Sequence, residues 1–195
     1  NLVLVSDHGQ RSISRNLNLN VLFADQGWIQ TGAEGEILDW QAVSFSNAMS
    51  SLIYLRCPED EQLRQQVYSH LLQWQEEGIY GIGTVFTAKE AWEQHHLKGN
   101  FSFVVESDGY TSFGDRAVRP LVQAFDDSDY RLGRATHGGL PDFGPQPVFV
   151  AKGPDFQCYR MLQRRDLIDE APTYARLLGI TLKHSEGKEM EEFLR

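Results

Sequence analysis

Two short stretches hold most of the side chains in this sequence that could do chemistry: Asp7-His8-Gly9 and Thr136-His137-Gly138-Gly139. Asp7 and His8 follow directly on the apolar run Leu2-Val3-Leu4-Val5. That is the carboxyl end of a strand, where open α/β sheets place their ligand sites. A carboxylate and an imidazole are both ligand types for zinc, and the oxygen donor also suits manganese. Gly9 lets the backbone turn away without crowding such a site. His137 lies among glycines in a Gly- and Pro-rich stretch, so it too can approach a metal closely. Taken singly, each motif also fits a plain structural role. Asp7 can cap the next segment, His8 can bond a loop carbonyl, and His137 can face solvent. Taken together, two ligand clusters on loops after apolar strands, far apart in the chain, are a common way to assemble a metal centre.

The other candidates carry less. His95 and His96 are adjacent on a predicted helix and cannot share a face. His70 lies beside the apolar stripe of an earlier helix, which suits a structural role, and His184 falls in a charged tail. Cys57 and Cys158 have no CxxC partner, so they form no cysteine zinc site. Asp126-Asp127-Ser128-Asp129 lacks the spacing of a calcium loop and reads as a solvated turn. No Gly-rich dinucleotide motif, phosphate-binding loop or GxSxG elbow occurs, and Arg164-Arg165 is too short a basic run for nucleic acid.

Composition narrows the classes. Against 27 Asp+Glu stand 18 Lys+Arg, a formal net charge of −9 over 195 residues. That balance argues against binding a nucleic-acid polymer, which clustered cations drive. The apolar runs are too short to span a membrane. Two lone cysteines give no disulfide framework and lead us to expect a reducing, cytoplasmic setting.

The elements that must position the two motifs can be read by period. Leu2 to Val5 reads as a buried, parallel strand covered on both faces. A chain seldom begins inside such a strand, so we expect these residues to belong to a longer protein. Leu17, Leu19, Val21 and Phe23 alternate with polar residues up to Asn20, the period of a half-exposed strand. Leu52 to Leu55 is a further strand. Asp60 opens a helix in which Leu63, Val67, Leu71 and Trp74 recur at helical spacing until Gly78 ends it. Ile79 to Phe86 is extended again. Thr87 and Glu90 have capping-box spacing for a second helix, ending by Gly99. Phe101 to Val105 and Tyr110 to Phe113 predict a hairpin about Asp108-Gly109. Gly133 to Pro147 reads as loop, Val148 to Ala151 as a strand, and Pro172 starts a short helix closed by Gly179. The tail from Lys183 to Arg195 is charged and expected to be loosely held.

These blocks resemble a known family. Val3-Leu4-Val5-Ser6-Asp7-His8-Gly9, Thr136-His137-Gly138, the Val148 to Phe156 stretch and the Asp169 to Ile180 stretch are together similar to the alkaline phosphatase superfamily. Within it they most resemble the type I phosphodiesterase / nucleotide pyrophosphatase branch, over the C-terminal half of its catalytic domain. The resemblance implies an α/β fold: part of a mostly parallel sheet flanked by helices, with an inserted α+β cap-like subdomain. Residues 1–40 would be a core segment with the first motif. Residues 41–132 would be the insert, and 133–195 a core segment with the second motif and a C-terminal helix.

The implied chemistry is metal-dependent hydrolysis of phosphoric esters with two divalent ions, zinc or else manganese. Asp7 and His8 would hold one ion and His137 the other. The remaining ligands and a Thr or Ser nucleophile would come from upstream, and a phosphoryl-enzyme intermediate would be hydrolysed by water. On that reading the 195 residues bind zinc weakly and are inactive alone. Gln10 stands where many relatives carry Met, a position that supplies no ligand. The partner would be a small phosphate ester, a nucleotide being one candidate, while substrate and oligomeric state stay open. Two alternatives remain: another hydrolase or mutase of the superfamily (phosphomonoesterase, phosphonate hydrolase, cofactor-independent phosphoglycerate mutase), or a non-catalytic α/β interaction domain.

Overall fold

In a computed structural model, residues 1–124, 134–144, 146–161 and 164–195 are described. The acidic run Asp126 to Asp129 lies outside them. The chain begins with strands β1 (Leu2–Val5), β2 (Arg11–Ser12) and β3 (Arg15–Asn18), then helix α1 (Leu19–Asp25). Strands β4 (Ile29–Thr31), β5 (Ile37–Trp40), β6 (Ala42–Asn47) and β7 (Ser50–Leu55) precede helix α2 (Glu61–Glu77). Next come β8 (Ile82–Thr87), α3 (Ala88–His95), β9 (Phe103–Ser107) and β10 (Thr111–Gly114). The remainder holds β11 (Val122–Gln123), β12 (Ala135–Thr136), β13 (Phe149–Lys152) and α4 (Glu170–Leu177). The class is α/β, as expected. Two compact units arise: residues 1–7 with 147–195, and residues 8–146.

The larger unit is built on a four-stranded antiparallel sheet in the order β6-β7-β9-β8. Helix α2 packs on it through Leu63, Val67, Leu71 and Trp74, all buried, at the spacing the sequence predicts. Each such side chain contributes about 2 kcal/mol of burial. The Asp60 carboxylate accepts the Leu63 N–H at 3.0 Å, and Gly78 closes the helix with φ 69°. Thr87 and Glu90 form the reciprocal cap of α3. His96, rather than Gly99, terminates that helix, in a left-handed conformation. His70 lies against the α2 core as a structural residue: its Nδ1 bonds the Gln66 carbonyl at 2.9 Å, and its ring meets Trp28 edge-on.

Two expectations fail here for identifiable reasons. The alternation from Leu17 to Phe23 does not make one strand: β3 stops at Asn18 and α1 follows. The polar positions that mimic a solvent face are in fact buried, Asn18 and Asn20 at 1% exposure each. Asn20 donates to the Ser44 and Asp115 carbonyls and accepts the Ser44 N–H, so hydrogen bonding takes the place of water. Nor do β9 and β10 form a hairpin. The Asp108 carboxylate accepts from both Tyr110 N–H and Thr111 N–H, turning the chain so that β10 pairs in parallel with β3. Strand β9 pairs instead with β7 and β8.

In the smaller unit β1 pairs antiparallel with β13, Leu2 opposite Lys152 and Val5 opposite Phe149. Among the described strands the β3–β10 pair alone is parallel, so the mostly parallel character expected of the sheet is not what these residues show. Leu2, Leu4 and Val150 are 70%, 64% and 56% exposed, where burial on both faces was expected. An apolar run signals a strand but specifies neither its partner nor its cover. The charged tail is not loose either. Met190 and Leu194 are buried, the Met190 N–H donates to the Thr173 hydroxyl oxygen, and Arg176 pairs with Glu189 at 2.8 Å. No described helix is long and apolar enough to cross a membrane.

Candidate metal centre

A ladder only two residues long brings the two motifs together. Strand β12 pairs antiparallel with β2, Thr136 opposite Arg11 and Ala135 opposite Ser12. The Ile13 N–H extends it by donating to the Arg134 carbonyl at 2.8 Å. In this register the residues after Thr136 run back along those before Arg11. His137 therefore meets His8, 129 positions away in sequence. Their rings stack with centroids 3.8 Å apart and planes 20° from parallel. Both side chains are exposed.

The two imidazoles lie face to face and do not converge on one point. His8 Nδ1 lies 3.0 Å from the Gly9 carbonyl oxygen. A carbonyl can only accept, so Nδ1 is the donor in this contact. Imidazole lone pairs lie in the ring plane. An ion shared between two stacked, near-parallel rings would sit far off both lone-pair axes. Two ions side by side, one in each plane, would meet both. Among the described residues no group of three or more His, Cys, Asp and Glu is gathered closely enough to hold an ion alone. Asp7 is exposed and precedes His8 directly, at the end of the smaller unit's first segment.

The His137 loop is fixed from the larger unit's sheet. The Met49 N–H, in the β6–β7 turn, donates to the His137 carbonyl at 3.1 Å. Gly138 has φ 89°, and a Cβ there would lie 2.2 Å from the Asn47 carbonyl oxygen, so only glycine fits. The Leu140 N–H donates to Glu106 Oε2 at 3.1 Å. Glu106 is the residue that sequence reasoning missed. It is half-buried on β9, and burial pushes its carboxyl up to about 7 against the opposing pull of the Leu140 N–H. Beside the ladder, the Arg11 guanidinium bonds the Phe143 carbonyl and lies over the Tyr110 ring, 5.2 Å from its centroid.

No family model and no curated protein matches this sequence. Solved structures do share its fold. Human ectonucleotide pyrophosphatase / phosphodiesterase 5 superposes with a TM-score of 0.69 at 18% identity, over 100% of this chain and 45% of that one. The murine protein gives 0.68, both free and as an inactive variant in complex with AMP. Phosphonoacetate hydrolase from Sinorhizobium meliloti 1021, in complex with phosphonoacetate, gives 0.51 at 17% identity over 76% of this chain and 35% of that one. The chain shares the fold of these proteins while spanning less than half of their length. The resemblance carried by the sequence motifs therefore stands at the level of the fold.

Proposed function

We propose that this chain is the metal-ligand-bearing part of a phosphoric-ester hydrolase of the phosphodiesterase / nucleotide pyrophosphatase type. Asp7 and His8 would hold one divalent ion, zinc in the first instance, and His137 its neighbour. The observation that carries this reading is the His8–His137 stack, assembled from opposite ends of the larger unit by the β2–β12 ladder. When bound, such an ion pair supplies Lewis-acid polarisation of the phosphoryl group and charge neutralisation at the attacking and leaving oxygens.

The residues of this chain do the positioning. The Gly9 carbonyl accepts from His8 Nδ1, which orients the first imidazole. Gly138 lets the loop turn tightly against the β6–β7 turn, and Met49 holds the His137 carbonyl, so the second imidazole keeps its place beside the first. The sheet and helices between residues 41 and 132 would act as the cap-like region that shapes access to the ions. A nucleotide monophosphate group is the ligand class suggested by the AMP complex of the murine structure. Because the chain spans 45% of those structures, turnover is proposed for the protein that carries it, with nucleophile and remaining ligands supplied by other residues. A second reading, phosphonate hydrolysis, is favoured by the likeness to phosphonoacetate hydrolase.

The test is hydrolysis of a chromogenic aryl phosphodiester, the matching monoester and phosphonoacetate by the protein carrying this chain, before and after chelation. Diester cleavage that is abolished by chelation, restored by zinc and lost in His137→Ala supports the proposal. Preference for phosphonoacetate or the monoester moves it to those relatives. Activity indifferent to chelation and to His137→Ala would sink it.

A further inference from the structure

A half-buried carboxylate behind the His137 loop has no part in the proposed chemistry, and it has no cation within ion-pair distance among the described residues. Glu106 sits near the end of β9, an inner strand of the sheet, opposite Ser50 of β7 and Thr84 of β8. Removing a carboxyl group from water without a charge partner is costly, and an apolar side chain would fill the same place more cheaply. What Glu106 does there is accept the Leu140 N–H at 3.1 Å. A Cβ on Gly139 would lie 3.8 Å from the same oxygen, so the chain passes directly over the carboxylate.

His137 thus lies between two anchors. On one side Thr136 is fixed opposite Arg11 by the ladder, and on the other Leu140 is tied to Glu106. The loop also takes the Met49 N–H on the His137 carbonyl and passes by the Met49 side chain at Gly139. Glu106 is the side chain that ties it to the sheet by a hydrogen bond. We propose that Glu106 is a positioning residue for His137: by accepting the Leu140 N–H it seats the 137–140 loop so that the imidazole stands beside His8. The proposal rests on reading His137 as a metal ligand, and it assigns the cap-like sheet a second task, as the seat of one ligand.

The experiment uses the isotopically labelled protein that carries this chain and three readouts. These are exchange of the Leu140 amide without metal, ring-nitrogen NMR shifts of His8 and His137 during zinc titration, and the thermal midpoint. Glu106→Leu removes the acceptor, whereas Glu106→Gln keeps an acceptor oxygen without the charge. In Glu106→Leu the Leu140 amide should exchange about tenfold faster, and zinc should act on His137 about tenfold more weakly while His8 responds as before. Glu106→Gln should stay within about twofold of the parent protein on both, since about one hydrogen bond is retained. A purely structural role would weaken both histidines together, and that result overturns the proposal. So does Glu106→Gln failing as fully as Glu106→Leu. If Glu106→Leu does not fold, the parent protein decides: a Leu140 amide exchanging as fast as an open loop overturns the idea, and a protected one sustains it. Should zinc move neither ring in the parent protein, the metal reading fails, while the metal-free exchange measurement still judges the role of Glu106.

Discussion

Glu106 makes stability depend on pH in a direction opposite to most carboxylates. Its carboxyl moves from an ordinary value of 4.5 to about 7 because burial penalises the charged form. Below pH 4.5 the group is protonated in both folded and unfolded chains, and its effect on the balance is constant. Between 4.5 and 7 the unfolded chain releases the proton while the folded chain holds it. The folded state then binds more protons, so stability falls as pH rises through that window and levels off above it. At about 1.4 kcal/mol per unit, the loss is at most about 3 kcal/mol, and partial exposure of the side chain reduces it. Glu106→Gln removes the titration. The assay is urea unfolding of both proteins at half-unit steps from pH 4 to 8, followed by the tryptophans of the larger unit. The difference between the two isolates Glu106 from every other titrating group. The parent chain should lose about 2 kcal/mol against the variant between pH 4.5 and 7, a midpoint difference of about 1 M urea. A difference that stays flat, or that grows in the parent's favour as pH rises, would refute the burial argument.

Two other substitutions test the geometry. Gly138→Ala meets both a left-handed backbone and the Asn47 carbonyl oxygen, so the loop must shift. It should lower stability by about 1–2 kcal/mol and weaken the His137 response to zinc in NMR titration, with His8 less affected. Asn20→Leu leaves the buried Ser44 N–H and the Ser44 and Asp115 carbonyls without their partner. It should cost about 3 kcal/mol in urea unfolding despite the gain in apolarity, whereas a solvent-facing position would cost almost nothing.

What the sequence discloses is whatever local physics decides. Helix α2 is legible because Asp60, the Leu63 to Trp74 stripe and Gly78 all act within one element. The same holds for the Thr87–Glu90 cap and for Gly179 after α4, with φ 68°. Where partners are distant, the signal fades. Asn18 and Asn20 look like solvent positions until Pro120, Asp115 and Ser44 are brought to them by the fold. Asp108-Gly109 looks like a hairpin until the Asp108 side chain redirects the strand toward β3.

The site divides in the same way. The two histidine motifs stand out by residue type, yet the two-residue ladder that joins them has no signature in the sequence. Glu106 closes the apolar run Phe103-Val104-Val105 and reads as the point where a strand meets solvent. Its role depends on a backbone N–H 34 residues later, and a backbone partner leaves no trace in side-chain identity.

The central claim is that His8 and His137 serve separate ions. Counting bound zinc by native mass spectrometry, on the protein carrying this chain, tests it most directly. The parent should hold two zinc ions, His8→Ala and His137→Ala one each, and the double variant none. A parent holding a single ion that either substitution removes would contradict the claim, because stacked rings would then be sharing one metal. A parent holding none would leave the two imidazoles as a stacked surface pair, and the proposed hydrolase would fall with them.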